Sequence, residues 1–359
     1  MSIQTYIIAE AGVNHNGSLE MAKQLVDVAK QAGVNAVKFQ TFRAESLVTR
    51  SAQQANYQVN NLGKATSQFD MLKKLELSYK EFVELKFYCD VNQIEFLSTP
   101  FDIESVDFLL NDIGISKIKI PSGEVTNSPF IHYIATKKKP MILSTGMATM
   151  EDVHDALSYI AYGLAFPSQK VDINQVQSFY QTVESKLLLK EYVTVLHCTT
   201  EYPAPYDTIN LNAMNEMKRE LHLPIGFSDH SQGIAVPIAA VALGALVIEK
   251  YFTLDHSLPG PDHLASLEPN DLKEMVAGIR AIEHSLGTGH KIPTSIELEN
   301  RQAARKSIVA KVRVAAGEIF TESDLAIKRP GNGMPPIKYW DLIGKEAKKS
   351  YEVDELIDE

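Results

Sequence analysis

The sequence predicts an α/β fold, a (β/α)8 TIM barrel followed by a small C-terminal domain of short strands. Two observations lead to this prediction. Eight short apolar, β-branched segments alternate with longer segments of helical period, which is typical of β-α units repeated around a parallel sheet. The chain also has 359 residues, enough for a large barrel and a second, smaller domain. We therefore expect a barrel over residues 1–286, a linker over 287–304 and the small domain over 305–359.

Each predicted strand is a short apolar run that ends in polar residues. The eight runs cover residues 5–10, 36–40, 94–98, 117–120, 140–144, 193–197, 223–228 and 245–249. Amphipathic helices lie between them. In residues 18–33, for example, apolar side chains recur at every third or fourth position, and Ser18 can cap the first turn. The last helix of the barrel is expected at about residues 269–286.

The C-terminal part of the chain differs from the barrel in its pattern. Residues 287–304 are polar and rich in turn-forming residues, which predicts a linker. Beyond them, short apolar segments and glycine turns with little helical period predict a compact domain of short strands. A domain of this size is marginal for independent folding, so we expect it to pack against another part of the protein.

Composition and charge disfavour several classes of protein. The hydrophobic fraction is 45% and the charged fraction 22%, as in ordinary globular proteins, and no segment approaches the ~18 apolar residues of a membrane span. The N-terminus lacks the basic and apolar regions of a signal peptide, so we expect a cytoplasmic protein in which Cys89 and Cys198 stay reduced and buried. A net charge of -10, without a cluster of lysine and arginine, disfavours nucleic acid binding.

Polar side chains gather where the predicted strands end, which is where barrel enzymes place their active sites. Lys38 and Lys119 are predicted to point into the barrel, and a buried ammonium group without a partner is costly. Interior carboxylates would balance the lysines, and the candidates are Glu10, Glu124 and Glu249. An anionic ligand is the alternative, and hydroxyl donors suited to a phosphate or carboxylate stand nearby at Ser122, Ser144 and Ser228. The pattern favours a small, doubly anionic substrate.

Eight motifs spread along the chain together resemble one enzyme family. They are IIAEAGVNHNGS, AVKFQTF, FLSTPFD, KIPSGE, ILSTGMA, LHCTTEYPAPY, GFSDHS and KRPGNG. This set resembles the sialic acid synthases, transferases that condense phosphoenolpyruvate with an N-acetylated amino sugar and release phosphate by C–O cleavage. The resemblance covers nearly the whole chain, and the C-terminal segment resembles the antifreeze-like SAF domain of these enzymes. The implied product is N-acetylneuraminate, from N-acetylmannosamine, or legionaminate, from a 2,4-diacetamido-6-deoxy relative.

The resemblance also implies roles for individual residues. The phosphate and carboxylate of phosphoenolpyruvate would be held by Lys38, Lys119, Ser122, Ser144 and Ser228. The sugar would be contacted by Gln40, Tyr202 and Asp262. Glu10 and Glu124 would transfer protons and, with the two lysines, form the catalytic group. Thr200 stands where some members carry an asparagine that contacts phosphoenolpyruvate, and its hydroxyl keeps a donor at that position.

The same resemblance implies a divalent metal ion, usually manganese, with magnesium or cobalt as alternatives. His230, in SDHS, matches one of two histidines that bind it. Tyr251, in VIEKYFTLDHSLPGPDH, occupies the position of the other, and a phenol with a pKa of ~10 is a poor ligand near neutral pH. Three interpretations remain open: His230, water and substrate hold the metal, or His263 compensates, or turnover is impaired.

The resemblance also bears on how the subunits assemble and on which sugar is used. Arg329, in KRPGNG, matches an arginine that the SAF domain of the partner subunit donates to the sugar's N-acetyl group, which implies a domain-swapped homodimer. The forms CTTEYPAP and KFQTF are more similar to neuraminate and legionaminate synthases than to the pseudaminate branch. Two other functions fit parts of the sequence: a lysine-imine aldolase on the same fold, and a non-catalytic sugar- or ice-binding protein.

Overall fold

The computed structural model describes residues 4–63 and 66–358 of the chain. These residues fall into two compact units, one ending at Leu286 and the other beginning at Gly287. Over the described ranges, no helix combines the length and the apolar composition that a membrane crossing requires. Both cysteines, Cys89 and Cys198, are buried and unpaired, as the sequence predicts.

Within the described residues, the first unit is built around one parallel sheet of eight strands. They are β1 (Tyr6–Gly12), β2 (Ala36–Thr41), β3 (Glu95–Pro100), β4 (Ile118–Ile120), β5 (Met141–Ser144), β6 (Val193–Cys198), β7 (Ile225–Asp229) and β8 (Val247–Tyr251). Hydrogen bonds join them in the order β3-β2-β1-β8-β7-β6-β5-β4, and β3 lies next to β4, so the sheet closes almost completely into a barrel. The predicted TIM barrel is confirmed, and the ends of each predicted strand move by at most two residues.

Helices surround the barrel and connect its strands. In chain order they are α1 (Leu19–Ala32), α2 (Ala44–Leu47), α3 (Asn56–Leu62), α4 (Gln68–Leu75), α5 (Tyr79–Val91), α6 (Ile103–Phe108), α7 (Ser128–Thr136), α8 (Met150–Ala165), α9 (Ile173–Tyr180), α10 (Val183–Tyr192), α11 (Ala213–Leu221), α12 (Ala235–Ala242) and α13 (Pro269–Ser285). A π-helical turn (Leu109–Ile113) continues α6. Three connections contain 3-10 turns, at Ser122–Glu124, Tyr206–Thr208 and His263–Ala265. Each pair of consecutive strands is joined by at least one helix, as a parallel barrel requires.

Helix α1 illustrates how local sequence sets the ends of these elements. The hydroxyl of Ser18 accepts a hydrogen bond from the backbone N–H of Met21 (3.3 Å), so the predicted cap is present. Gly33 ends the helix with a φ of 80°, a left-handed conformation that glycine adopts at no steric cost. The apolar face between these two residues is buried in the main core.

The connection from β2 to β3 contains three helices that the alternation of strands and helices did not predict. We call α2, α3 and α4 the cap. An apolar cluster joins the cap to residues that follow β1 and β2, and its buried members are Val13, Phe42, Met71 and Leu75. Because β1 and β2 run parallel, these residues lie at the carboxyl end of the barrel. The cluster therefore holds the cap over the end where the predicted site residues converge.

The second unit has a small hydrophobic core of its own. It contains α14 (Ser295–Ala304), β9 (Ser307–Ala310), β10 (Leu325–Lys328), a 3-10 turn (Pro336–Lys338) and α15 (Tyr339–Leu342), and β9 pairs antiparallel with β10. Its buried apolar residues are Ile308, Ala310, Val314, Phe320, Leu325, Leu342, Ala347, Tyr351 and Ile357. The segment predicted as a linker contains α14, which Thr294 caps by accepting a hydrogen bond from the N–H of Glu297 (3.3 Å). Every residue of α14 is exposed.

Candidate active site

A cavity of about 340 Å³ lies at the carboxyl ends of the barrel strands. Most of the site residues predicted from sequence line it: Glu10, Lys38, Gln40, Lys119, Ser122, Ser144, Thr200, Tyr202, Ser228, His230, Tyr251 and Asp262. A larger cavity of about 630 Å³ lies among α8, α9, α10 and α11 on the outside of the barrel, away from the strand ends. The chemistry-bearing side chains therefore converge on the smaller cavity.

Strand register brings four charged side chains together beside this cavity. Glu10 on β1 lies opposite Lys38 on β2, and Ser228 on β7 lies opposite Glu249 on β8. The Nζ atom of Lys38 is 2.6 Å from Oε2 of Glu10 and 3.5 Å from Oε2 of Glu249. The Nζ atom of Lys119 is 2.7 Å from Oε1 of Glu249. We call Glu10, Lys38, Lys119 and Glu249 the charge cluster; each is at most 5% exposed.

Interior carboxylates therefore pair with both lysines, as one of the two sequence-based interpretations proposed. Hydroxyl groups extend the network, because Lys38 donates to Oγ1 of Thr99 (2.9 Å) and Ser228 donates to Oε1 of Glu249 (2.8 Å). Glu124 lies elsewhere. It is half-buried outside the cavity lining and accepts a hydrogen bond from the side chain of Asn127 (2.6 Å).

The two carboxyl groups of the charge cluster have opposite pKa shifts. Burial raises the pKa of Glu10 to about 7 against the attraction of Lys38, and the nearby Glu249 adds to the rise. Burial also disfavours the charged form of Glu249, but Lys119 and Lys38 outweigh it and hold the pKa of Glu249 at about 2. At neutral pH Glu10 is partly protonated while Glu249 is charged. Partial protonation of Glu10 reduces the negative charge beside the two lysines, which favours an anionic ligand.

Hydroxyl groups form a second part of the cavity wall. Ser122 accepts a hydrogen bond from the backbone N–H of Gly146 (2.9 Å). The hydroxyls of Ser144 and Thr200 are buried and have no hydrogen-bond partner among the described residues. A Cβ at Gly146 would lie 2.2 Å from Oγ1 of Thr200, so only glycine leaves room for this arrangement. Two free hydroxyls that line the same cavity as two lysines can bind the oxygens of a phosphate or carboxylate.

His230 presents a neutral ring nitrogen to the cavity. Its Nδ1 lies 2.6 Å from the carbonyl oxygen of Thr199, so Nδ1 carries the proton and donates to that oxygen. Burial lowers the pKa of His230 to about 4, which keeps the imidazole neutral at pH 7. The ring of Tyr202 stacks on it with a centroid distance of 4.2 Å. Nε2 lies 3.5 Å from Oγ of Ser228, whose proton is donated to Glu249, so the lone pair on Nε2 is available to a metal ion or to a donor on a substrate.

Tyr251 lines the cavity as a neutral phenol. Burial raises its pKa well above the ordinary value, and the neighbouring Tyr202 and Glu10 act in the same direction. Its hydroxyl oxygen accepts a hydrogen bond from Nε2 of Gln40 (3.2 Å). His263 lies outside the cavity lining, with Nδ1 2.7 Å from Oγ1 of Thr253 and Nε2 3.3 Å from Oδ1 of Asn16. Both of its ring nitrogens are therefore engaged away from the cavity.

One of the two predicted metal-ligand positions has suitable donor chemistry. His230 offers a neutral imidazole nitrogen, whereas Tyr251 offers a protonated phenol, which lacks the charge that makes oxygen a good ligand. In the described part of the chain, no three or more His, Cys, Asp or Glu side chains are grouped to hold a metal ion. The residues present fit a divalent ion that takes one protein nitrogen and completes its coordination with water and substrate oxygens.

Two other predicted site residues occupy different surroundings. Asp262 is buried in the cavity wall, and burial raises its pKa to about 7. Arg329 belongs to the second unit, where it is exposed and its Nε donates to the carbonyl oxygen of Ala304 (3.0 Å). One hydrogen bond thus ties the exposed Arg329 side chain to the last residue of α14.

The cap contributes side chains to the cavity that the strand pattern does not predict. The ring of Tyr57 packs against that of Tyr202 with a centroid distance of 5.0 Å, and both line the cavity. Asn61 donates to the carbonyl oxygen of Pro261 (2.6 Å), which ties α3 to the loop after β8. Neither residue ends a barrel strand, so strand-end reasoning had no signal for them. Their positions depend on contacts between distant loops.

Comparison with known proteins identifies relatives over nearly the whole length. The family model described as NeuB family matches residues 25–291, and the SAF domain model matches residues 305–358. The N,N'-diacetyllegionaminic acid synthase of Campylobacter jejuni subsp. jejuni serotype O:2 is 45% identical over 356 residues, which cover 99% of each chain. The enzyme of the same name from Legionella pneumophila is 44% identical over 343 residues, or 96% of this chain and 90% of that one.

A solved structure agrees with these relatives. The N-acetylneuraminic acid synthetase from Leptospira borgpetersenii serovar Hardjo-bovis, crystallised with citrate, is 31% identical in sequence. It superposes with a TM-score of 0.65 over 83% of this chain and 90% of that chain. The barrel with its strand-end site, the matched family model and relatives of this similarity lead to one conclusion: the chain belongs to the NeuB family and carries a C-terminal SAF domain.

Proposed function

We propose that the protein condenses phosphoenolpyruvate with an N-acetylated amino sugar and water, giving a nine-carbon sialic acid and phosphate. The observation that carries this proposal is the charge cluster, whose two buried lysines lie at the same cavity as the free hydroxyls of Ser144 and Thr200. Both relatives above are named N,N'-diacetyllegionaminic acid synthases. Their names support the 2,4-diacetamido-6-deoxy sugar over N-acetylmannosamine as the preferred acceptor.

The charge cluster suits a ligand that carries both a phosphate and a carboxylate. An ammonium group has three N–H donors, and Lys119 uses one of them on Glu249, which leaves donors for ligand oxygens. Ser144 and Thr200 add two neutral donors. Partial protonation of Glu10 at pH 7 removes negative charge from the cluster when the anion arrives. Phosphoenolpyruvate meets each of these conditions.

Two buried carboxyl groups have pKa values suited to proton transfer. Burial raises the pKa of both Glu10 and Asp262 to about 7, where a carboxyl group both donates and accepts protons efficiently. In the proposed reaction, C3 of phosphoenolpyruvate attacks the aldehyde carbon of the open-chain sugar, and the aldehyde oxygen takes up a proton. Water then adds to C2 and loses a proton. The bond between C2 and the bridging phosphate oxygen then breaks, the C2 hydroxyl gives its proton to the departing phosphate, and C2 becomes the carbonyl carbon of the 2-keto acid.

We place a divalent ion, manganese first and magnesium or cobalt as alternatives, at His230. When bound, the ion supplies Lewis-acid polarisation of the aldehyde oxygen. His230 contributes its neutral Nε2, and the carbonyl of Thr199 holds the ring in the required tautomer. Gln40 donates to the phenol oxygen of Tyr251, which leaves the phenol proton to be donated to a hydroxyl or amide oxygen of the sugar.

A homodimer in which Arg329 reaches the sugar of the partner subunit completes the proposal. Its support is the exposure of large apolar side chains in the second unit, at Ile292, Ile296, Ile337 and Trp340. Apolar side chains exposed together are typical of surfaces that another chain covers, and these four lie in two short stretches, residues 292–296 and 337–340. Measuring the mass of the protein in solution by light scattering tests the dimer directly.

A phosphate-release assay with candidate sugars offered side by side tests the proposed reaction. We expect release to require phosphoenolpyruvate and sugar together, with the highest kcat/KM for the 2,4-diacetamido-6-deoxy sugar. Phosphoenolpyruvate labelled with 18O at the bridging position should transfer that label to phosphate, because the C2–O bond breaks. Preference for the pseudaminate precursor would contradict the substrate assignment, and the absence of release with every sugar would contradict the reaction.

A lysine-imine aldolase is a second candidate, because burial lowers the pKa of Lys119 and so favours a nucleophilic amine. The hydrogen bond from Lys119 to Glu249 opposes this role by stabilising the ammonium form. Treatment with borohydride and pyruvate separates the two chemistries. We expect no covalent adduct, and a pyruvyl adduct on Lys38 or Lys119 in the mass spectrum would favour the aldolase.

A further inference from the structure

An ion pair that does not line the cavity is buried between the ends of β7 and β8. Asp229 and Lys250 are both 0% exposed, and Nζ of Lys250 lies 2.7 Å from Oδ2 of Asp229. The same ammonium group donates to the backbone carbonyl of Ser231. The other carboxylate oxygen of Asp229 accepts a hydrogen bond from the N–H of Ser231 (2.9 Å). The pair therefore closes a tight ring of contacts around the turn 229–231.

His230 is the residue at the centre of that turn. Lys250 binds the carboxylate of Asp229, which precedes His230, and the backbone carbonyl of Ser231, which follows it. The carbonyl of His230 itself accepts from the N–H of Ala204 (2.9 Å). With the backbone fixed on both sides, the ring keeps its Nδ1 bonded to Thr199 and its Nε2 directed to the cavity.

Lys250 also connects this turn to the cavity wall on β8. Side chains alternate along a strand, so Glu249 and Tyr251 face the cavity while Lys250 points to the opposite side. Strand β8 thus supplies Glu249, which pairs with Lys119, and Tyr251, which accepts from Gln40. Between them it supplies Lys250, which supports the turn that carries His230. Any shift of β8 would move all three together.

Stability alone does not explain a fully buried ion pair. Removing two charges from water is costly, and well-packed apolar residues often replace such a pair without loss of stability. We propose that Asp229 and Lys250 are positioning residues, whose role is to hold the turn 229–231 so that His230 presents Nε2 to the cavity. The kinetic part of this inference rests on the proposed function, whereas its structural part does not.

The test compares Lys250→Met with the double variant Asp229→Asn/Lys250→Met. The single change leaves a carboxylate buried without its cation, so we expect a large fall in Tm. The double change removes both charges while the asparagine oxygen still accepts from Ser231, so Tm should recover. We expect kcat/KM for the sugar to stay about 10- to 100-fold below wild type in the double variant, because the carbonyl of Ser231 remains unsupported. The KM for phosphoenolpyruvate should change little.

Arg280→Met is the matched control at the opposite end of the barrel. Arg280 pairs with Glu283 (2.8 Å) and donates to the carbonyl of Thr5, just before β1. Its loss should lower Tm and leave kcat/KM unchanged. If the double variant regains wild-type kcat/KM together with its Tm, the Asp229–Lys250 pair is merely structural and the inference fails.

A second readout does not depend on turnover. In 15N-histidine NMR spectra, the His230 signals, assigned from the spectrum of His230→Gln, should report the Nδ1–H tautomer in wild type and a mixture of both tautomers in the double variant. Should the double variant not fold, Asp229→Asn alone keeps the volume of the site and should show the same change to a smaller extent. An unaltered tautomer in the folded variant overturns the inference. Wild-type protein that releases no phosphate would refute the proposed function but would leave this measurement valid.

Discussion

Replacing Glu10 with glutamine tests whether burial raises the pKa of this carboxyl group to about 7. Glu10 is 1% exposed, and its pKa rises from 4.5 to about 7, chiefly because burial penalises the carboxylate. A group whose pKa is raised by folding binds its proton more tightly in the native state. It therefore stabilises the fold below pH 4.5, and this stabilisation is lost as the pH rises through 7. At ~1.4 kcal/mol per pKa unit, the difference between the ordinary pKa of 4.5 and the pKa of about 7 in the fold corresponds to about 3 kcal/mol of stability.

Glutamine does not titrate, so the Glu10→Gln protein lacks this pH dependence. Its free energy of unfolding, measured relative to wild type, should rise by about 3 kcal/mol between pH ~4.5 and pH ~8. Urea unfolding followed by far-UV circular dichroism at a series of pH values measures the difference. Glu283→Gln is the matched control. Burial alone would raise the pKa of Glu283, but hydrogen bonds from Thr5 and Arg280 hold it below its ordinary value, so this control should stay flat over the same interval.

A difference between Glu10→Gln and wild type that stays flat from pH ~4.5 to pH ~8 would refute the argument from burial. Glu10 would then be an ordinary partner of Lys38, charged throughout this range, and the negative charge beside the lysines would not be reduced at neutral pH. In the phosphate-release assay the same variant should be nearly inactive, because an amide does not transfer protons.

Three further predictions concern the cavity wall, the metal and the dimer. Gly146→Ala places a Cβ 2.2 Å from Oγ1 of Thr200, so the KM for phosphoenolpyruvate should rise; an unchanged KM would mean that this wall does not bind it. Tyr251→His adds a second imidazole to the cavity, and a titration should show that less manganese is needed for half-maximal activity, while an unchanged requirement would mean that position 251 does not face the ion. Arg329→Ala and Glu10→Ala should each be nearly inactive, and mixing them under subunit exchange should restore activity. No recovery despite exchange, verified by mass spectrometry, would mean that Arg329 does not act on a partner subunit.

The barrel and most of the cavity lining follow from the sequence alone because the relevant information is local. Short β-branched runs and helical periodicity are properties of neighbouring residues, and parallel strands joined by helices direct all their carboxyl ends to one face. Residues at those ends, such as Lys38 and Lys119, must therefore meet. The structure places both at the same cavity.

The sequence does not determine which carboxylate pairs with each lysine. From sequence, Glu10, Glu124 and Glu249 are equivalent candidates to balance the lysines. Strand register and side-chain reach select Glu10 and Glu249, while the turn after β4 leads Glu124 to Asn127 instead. The divergence of two carboxyl pKa values, about 7 for Glu10 and about 2 for Glu249, depends on these distances and on the exclusion of water.

Only the tertiary structure places the loops around the cavity. His263 lies in the same short stretch as Tyr251, yet folding directs it to Thr253 and Asn16 and away from the cavity. Tyr57, which no strand pattern marks, becomes part of the cavity wall because the cap packs over the barrel mouth. Periodicity determines which face of a strand or helix a side chain occupies. Its partners and its pKa are decided by atoms far away in the sequence and by the water that packing removes.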